Sequence, residues 1–108
     1  MIRHGLKPII FVLNNKGYTI ERMIHGMEAS YNDIQPWNHT AILNLFSADP
    51  RASRSYQIKT KTEAEQLFND QRFSSAPYIQ LVEVFMPWQD APRALVKVAE
   101  ITAKRNSA

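Results

Sequence analysis

A chain of 108 residues has room for one domain or a piece of one, and 13 Lys plus Arg against 10 Asp plus Glu give it a net charge of +3. With 44% hydrophobic and 21% charged residues it is too apolar for a disordered tail and too weakly charged for a polybasic one. The absence of cysteine excludes a disulfide scaffold, thiolate metal sites and a cysteine nucleophile.

The first element is Pro8 to Leu13, an unbroken β-branched, aliphatic and aromatic run. Such a run suits a strand covered on both faces, as in a parallel sheet under helices. Asn14-Asn15-Lys16-Gly17 then turns the chain. Ile20, Met23 and Ile24 recur on one face of a short helix, which Gly26 is placed to end. Residues 27–36 carry no period and read as a loop. Asn38 stands where a second helix would be capped, with Trp37 and Ile42 at the positions of a hydrophobic staple and Ala41, Leu45 and Phe46 continuing the stripe.

Residues 47–53 read as a loop, and residues 55–59 as a short edge strand with Tyr56 and Ile58 on one face. Thr62-Glu63-Ala64-Glu65 has capping-box spacing, opening a third helix whose face is Ala64, Leu67 and Phe68. Residues 78–86 make a second strong strand. Asp90 is placed to cap a last helix with Pro92 in its first turn and Leu95, Val98 and Ile101 as its stripe. This alternation predicts an α/β fold, a partial parallel sheet with flanking helices. Two strands so apolar need neighbours that a three-stranded sheet cannot give both of them, so the chain reads as part of a larger sheet.

No apolar run approaches the roughly 18 residues of a membrane span. Arg3, His4 and Lys7 precede an apolar stretch too short for a secretory signal. The expectation is a soluble intracellular protein without a membrane partner. Its cations are scattered rather than gathered on one face among aromatics, so no nucleic-acid partner is expected either. His4, His25 and His39 lack paired-ligand spacing, and there is no Gly-x-Ser-x-Gly elbow, dinucleotide fingerprint or P-loop.

What remains is residues 14–21, Asn-Asn-Lys-Gly-Tyr-Thr-Ile-Glu, at the carboxyl end of the first strand, where open α/β sheets bind ligands. A helix starting near Tyr18 or Thr19 offers unpaired N–H groups to a phosphate. An Asn oxygen and a Gly carbonyl are hard ligands of the kind Mg²⁺ takes. The same residues also suit an ordinary turn, and Glu21 an ordinary first-turn acid, so the spacing leaves both readings open.

The run Gly5 to Arg22, followed by Ile24-His25-Gly26 and then Tyr31-Asn32-Asp33-Ile34 with Trp37, closely resembles thiamine-diphosphate-dependent 2-oxo acid decarboxylases of the pyruvate decarboxylase type, in particular fungal ones. Leu81-Val82-Glu83-Val84 and Asp90-Ala91-Pro92 are similar to that family's last strand and final helix. The resemblance implies that residues 1–108 are one incomplete domain, the carboxy-terminal portion of the thiamine-diphosphate-binding (PP) domain. It implies Mg²⁺ and thiamine diphosphate as cofactors, with Asn15 and Gly17 as metal ligands and the backbone at Tyr18, Thr19 and Ile20 facing the diphosphate. It further implies that Glu21 is the catalytic carboxylate managing protons, best served by a desolvated site that raises its pKa.

The implied substrate is a small-molecule 2-oxo acid, converted to an aldehyde and carbon dioxide with the cofactor as electron sink. The implied assembly is a homo-oligomer, dimer or tetramer, and the implied compartment the cytoplasm. An indolepyruvate or phenylpyruvate decarboxylase is the neighbouring alternative, since Asn38, Thr40, residues 47–50 and residues 63–67 also resemble that branch. A truncated, non-catalytic paralogue that binds a full-length subunit is another. One departure is large: the family's motif opens with Gly-Asp-Gly, whereas the thirteen residues before Asn14 contain neither Asp nor Gly-x-Gly. The chain is therefore expected to be an inactive carboxy-terminal fragment whose half-site holds Mg²⁺ weakly.

Overall fold

The computed structural model describes all residues, 1–108. The element order is β1 (Ile9–Asn14), α1 (Thr19–His25), α2 (Ile42–Leu45), β2 (Ser53–Ile58), α3 (Lys61–Asn69), α4 (Gln71–Ser74), β3 (Ile79–Phe85) and α5 (Arg93–Ser107), with short 3-10 turns before and between them. The chain divides into two compact units, Met1–Asn14 with Trp37–Phe85, and Asn15–Pro36 with Met86–Ala108. No helix is long and apolar enough to cross a membrane.

The first unit carries an α/β arrangement, a three-stranded parallel sheet in the order β1-β3-β2 with flanking helices. Residues along a strand alternate between faces, and each face has its own core. Leu43, Ala48, Ile79 and Leu81 pack on one, joined by Ile10, Val12 and Ile42. Ile58, Phe73 and Val82 pack on the other, joined by Tyr56, Ala64 and Leu67 among others. Central β3 is buried from Ile79 to Glu83. The buried Gln80 is satisfied: its amide donates to the Phe73 carbonyl at 3.1 Å and its oxygen accepts from the Tyr56 hydroxyl at 3.3 Å.

The expectation that the first strand is covered on both faces is corrected. β1 lies at the sheet edge, with Phe11 49% and Leu13 66% exposed; only β3 has neighbours on both sides. Phe11 meets one ring, Phe68, edge-on at 6.3 Å between centroids. On the opposite face a hollow of about 740 Å³ stays open beside Ile10, Val12, Ile42 and Leu81. The weak strand is at an edge as expected, starting two residues earlier at Ser53.

The helix signals need correction at three helices. The capping box is formed by Thr60, not Thr62: the Thr60 hydroxyl accepts from Glu63 N at 3.2 Å, and the Glu63 carboxylate accepts from Thr60 N at 3.2 Å. Asn38 precedes a 3-10 turn but caps no backbone N–H, because its oxygen accepts from the Thr40 hydroxyl. The helix after it is one turn long and buries Leu43, leaving Leu45 and Phe46 exposed. Pro92, not Asp90, stands at the N-cap of the last helix, and no side chain caps it. It buries Ala99 and half-buries Leu95, Val96, Thr102 and Ala103, so Val98 and Ile101 face outward. Both stripes are spaced as helical faces, and packing against α1 in the second unit selects the one with small residues.

The two capping-box assignments separate by mutation. Thr60→Ala is expected to cost about 1 kcal/mol of stability, whereas Thr62→Ala leaves the urea midpoint within error. Equal losses would contradict the observed cap.

Candidate functional site

In the second unit the chain leaves Asn15 through two residues of positive φ, Lys16 at 60° and Gly17 at 153°. The Asn15 side chain fixes this turn from within. Its oxygen accepts from Gly17 N at 3.4 Å, and its amide donates to Thr19 Oγ1 at 3.0 Å. That hydroxyl in turn donates to the Trp88 carbonyl at 2.9 Å, which ties the turn to the segment before α5. An Asn oxygen reaching the N–H two residues on is a local turn-former, and it fixes which side of the amide the oxygen occupies.

Gly17 is dictated by crowding as well as by φ. A Cβ there would overlap the Asn32 carbonyl and lie 2.6 Å from Arg22 Nη2. The loop that approaches so closely is pinned by Tyr18 N donating to Asn32 O at 3.1 Å and by an antiparallel bridge between Gly17 and Asp33. Arg22, 5% exposed, anchors that loop through an ion pair with Asp33 and through bonds to the carbonyls of Lys16, Met27 and Asn32. The Trp88 ring covers its guanidinium at 4.9 Å.

The sequence-predicted residues Asn15, Gly17, Tyr18, Thr19, Ile20 and Glu21 thus fall on one turn and the first turn of α1. Tyr18 is the N-cap, with its side chain exposed and its N–H given to Asn32. Thr19 and Ile20 stand at the first positions of the helix, where N–H groups have no intrahelical acceptor. Glu21 is half-exposed and lies 3.6 Å from His25 one turn on. Gly26 ends the helix as expected, its N–H donating to Arg22 O. Arg22, Asn32 and Trp88 were not legible as part of this arrangement, because their partners lie up to tens of residues away and follow no spacing rule.

The first unit holds a second polar cluster on the last residues of its sheet. Glu83, on β3 and 3% exposed, accepts from His39 Nδ1 at 2.7 Å, from Gln57 Nε2 at 3.0 Å and from Asn14 Nδ2 at 3.2 Å. Asn14 ends β1, Gln57 lies directly beside Glu83 in the β2 register, and both share its face of the sheet. Burial pushes the Glu83 carboxyl up, but the bonds from His39, Gln57 and Asn14, with the His39 charge, outweigh it and hold the group below the ordinary carboxylate range.

The donor types at the turn, an Asn oxygen and a Gly carbonyl with one residue between them in the chain, are those of the neutral part of a Mg²⁺ shell. They do not complete it. Nowhere in the structure do three or more His, Asp or Glu side chains converge, and the loop acid Asp33 is taken by Arg22. A divalent cation bound by two neutral oxygens alone lacks the carboxylate that gives such sites their affinity.

The depressed Glu83 pKa has a defined consequence. Its contribution to stability is fully present above the unfolded glutamate pKa of about 4.3 and is lost as pH falls through the lower folded value. Glu83→Gln sets an N–H₂ where the carboxylate accepted and is expected to cost about 1–3 kcal/mol at pH 7. In denaturant titrations that gap narrows below about pH 4; a gap independent of pH would contradict the assignment.

No family model matches the chain. It is 53% identical over 106 residues to the pyruvate decarboxylase of Aspergillus fumigatus, covering 98% of this chain and 18% of that protein. Against pyruvate decarboxylase isozyme 2 of Saccharomyces cerevisiae it is 50% identical over 107 residues, 99% of this chain and 19% of that one. Against the pyruvate decarboxylase of Aspergillus terreus it is 48% identical over 107 residues, again 99% and 19%. Identity at this level along the whole chain, rather than at a single motif, makes the chain a homologue of a carboxy-terminal segment of the fungal pyruvate decarboxylases, spanning a little under one fifth of the length of these relatives.

Proposed function

We propose that residues 1–108 are one incomplete domain, the last part of the thiamine-diphosphate-binding domain of a cytoplasmic, homo-oligomeric 2-oxo acid decarboxylase, and that the parent activity is conversion of pyruvate to acetaldehyde and carbon dioxide. The turn at Asn15–Gly17 supports this reading, since the Asn15 amide is oriented by two bonds, its oxygen accepting from Gly17 N and its nitrogen donating to Thr19 Oγ1, and Gly17 admits no side chain. In the proposed site Asn15 Oδ1 and the Gly17 carbonyl face Mg²⁺, and the N–H groups of Thr19 and Ile20 face the diphosphate, beside the backbone of Tyr18. Tyr18 N is already engaged with Asn32, so its part is to hold the loop rather than to donate. The cofactor, when bound, supplies the electron sink for loss of carbon dioxide.

Glu21 is the proposed proton-managing group. A carboxyl does this best in a dry site, whereas here its side chain is half in solvent. The drying and the anionic metal ligand must therefore come from protein outside these residues. The 108-residue chain alone is accordingly inactive.

A non-catalytic module paired with a full-length subunit is the second reading, favoured by the open edge of β1 with Phe11 and Leu13 exposed. Indolepyruvate or phenylpyruvate as parent substrate is the alternative within the enzyme class; comparing rates on the two acids with the full-length parent would distinguish it from pyruvate.

The purified chain, given Mg²⁺, thiamine diphosphate and pyruvate in a coupled assay for aldehyde, is expected to show no turnover above the cofactor alone. Turnover would overturn the incomplete-site reading. Retention of a full-length decarboxylase subunit on the immobilised chain would instead support the module.

A further inference from the structure

We propose that Arg22 is the positioning residue of the Asn15–Gly17 turn, an inference that rests on the cofactor reading above. The turn has no regular ladder to hold it: its backbone passes through two residues of positive φ, and α1 is only seven residues long. Beyond the Asn15 side chain within it and the single bridge from Gly17 to Asp33, its shape is set by a guanidinium. Arg22 Nη2 donates to Lys16 O at 3.4 Å, inside the turn, and to Asn32 O at 3.3 Å, the carbonyl that also receives Tyr18 N. Nη1 donates to Met27 O at 3.2 Å. Asp33 Oδ1 is the third and nearest acceptor of the same Nη2, which shares its two hydrogens among them, and the Trp88 ring covers the guanidinium.

Three backbone carbonyls from three stretches of chain therefore converge on one planar cation. The ion pair does not explain this arrangement by itself, since Asp33, 63% exposed on its side chain, engages Nη2 alone, whereas the buried guanidinium also reaches three backbone carbonyls. What a buried guanidinium offers is geometry: several donors in a fixed plane, with a face that stacks on an indole. A lysine ammonium could reach one or two of the carbonyls but neither span them nor lie flat against Trp88. The same group explains the glycine, because Nη2 sits 2.6 Å from the place a Gly17 Cβ would take. Arg22 and Gly17 act as one device, the cation drawing the loop against the turn and the absent side chain leaving room for it. The carbonyl of Gly17 and the amide of Asn15 are presented as a consequence of that clamp.

The test is residue-resolved amide hydrogen exchange on the 108-residue chain and on its Arg22→Lys and Arg22→Ala variants. The expected result is exchange at Tyr18 about tenfold faster in both variants, shifted Asn15 and Gly17 resonances, and little change at Ala99 in the middle of α5. Guanidinium chloride at millimolar, sub-denaturing concentration should restore the Tyr18 rate in Arg22→Ala, a rescue that a general loss of stability would not show. If the Ala variant fails to fold, the Lys variant carries the same comparison. Uniform acceleration at Tyr18 and Ala99, or full protection at Tyr18 in Arg22→Lys, would overturn the proposal. The cofactor reading fails separately: if Mn²⁺ with inorganic diphosphate leaves Gly17 of the parent chain unaltered while the exchange pattern holds, Arg22 is still the organiser of the turn and the ligand assignment is wrong.

Discussion

Glu83 places a negative charge in the central strand of a sheet, 3% exposed, and the first unit is arranged around the need to answer it. A carboxylate taken from water without partners costs several kcal/mol; here it has three donors, one from each neighbouring strand and one from the turn before α2. Because the strands are parallel and in register, Asn14 and Gln57 reach the same carboxylate from either side. The interaction therefore joins the ends of all three strands and holds Asn14, the residue covalently next to the Asn15 turn. With one donor removed, part of a buried charge would be left uncompensated.

The second unit solves the mirror-image problem. Its buried charge is a cation, Arg22, answered by carbonyls, a carboxylate and an indole face. In both units the charge is retained where chain segments distant in sequence must meet with defined geometry. Neither feature is the cheapest way to gain stability, since a well-packed apolar group often does as well. Each makes sense as a constraint on where particular backbone and amide oxygens point, and the Asn15–Gly17 turn lies between Asn14 and Arg22 in the chain.

Much of the fold was legible because its strongest elements announce themselves locally. The apolar runs at Ile9–Leu13 and Ile79–Phe85, the weaker Ser53–Ile58 strand, the glycine ending α1 and the three-stranded parallel arrangement all follow from pattern and turn chemistry. Which strand sits in the middle did not follow, because neighbours in a parallel sheet are chosen by pairing across dozens of residues. The misplaced capping box has a simpler origin: Thr60 and Thr62 each have a glutamate three residues on, at Glu63 and Glu65, and only the chain's entry into the helix picks between them. In α5, Leu95 belongs to two helical faces at once, and the partner helix chooses the one bearing Ala99. The turn itself was legible as a motif, Asn-Asn-Lys-Gly, but the guanidinium and the loop that shape it were not, since hydrogen bonds from one side chain to scattered carbonyls leave no periodic trace.

In the proposed function this turn is the neutral-oxygen half of a magnesium–diphosphate cradle, lacking its carboxylate. The most direct measurement is calorimetric titration of Mg²⁺, in the presence of thiamine diphosphate, into the chain and into its Asn15→Asp variant, which sets an anionic oxygen on the turn. Weak binding is expected for the parent chain and binding about tenfold tighter for the variant, with the Gly17 resonance moving in step. Identical isotherms for the two, or tighter binding with Gly17 unmoved, would contradict the assignment of Asn15 and Gly17 as metal donors.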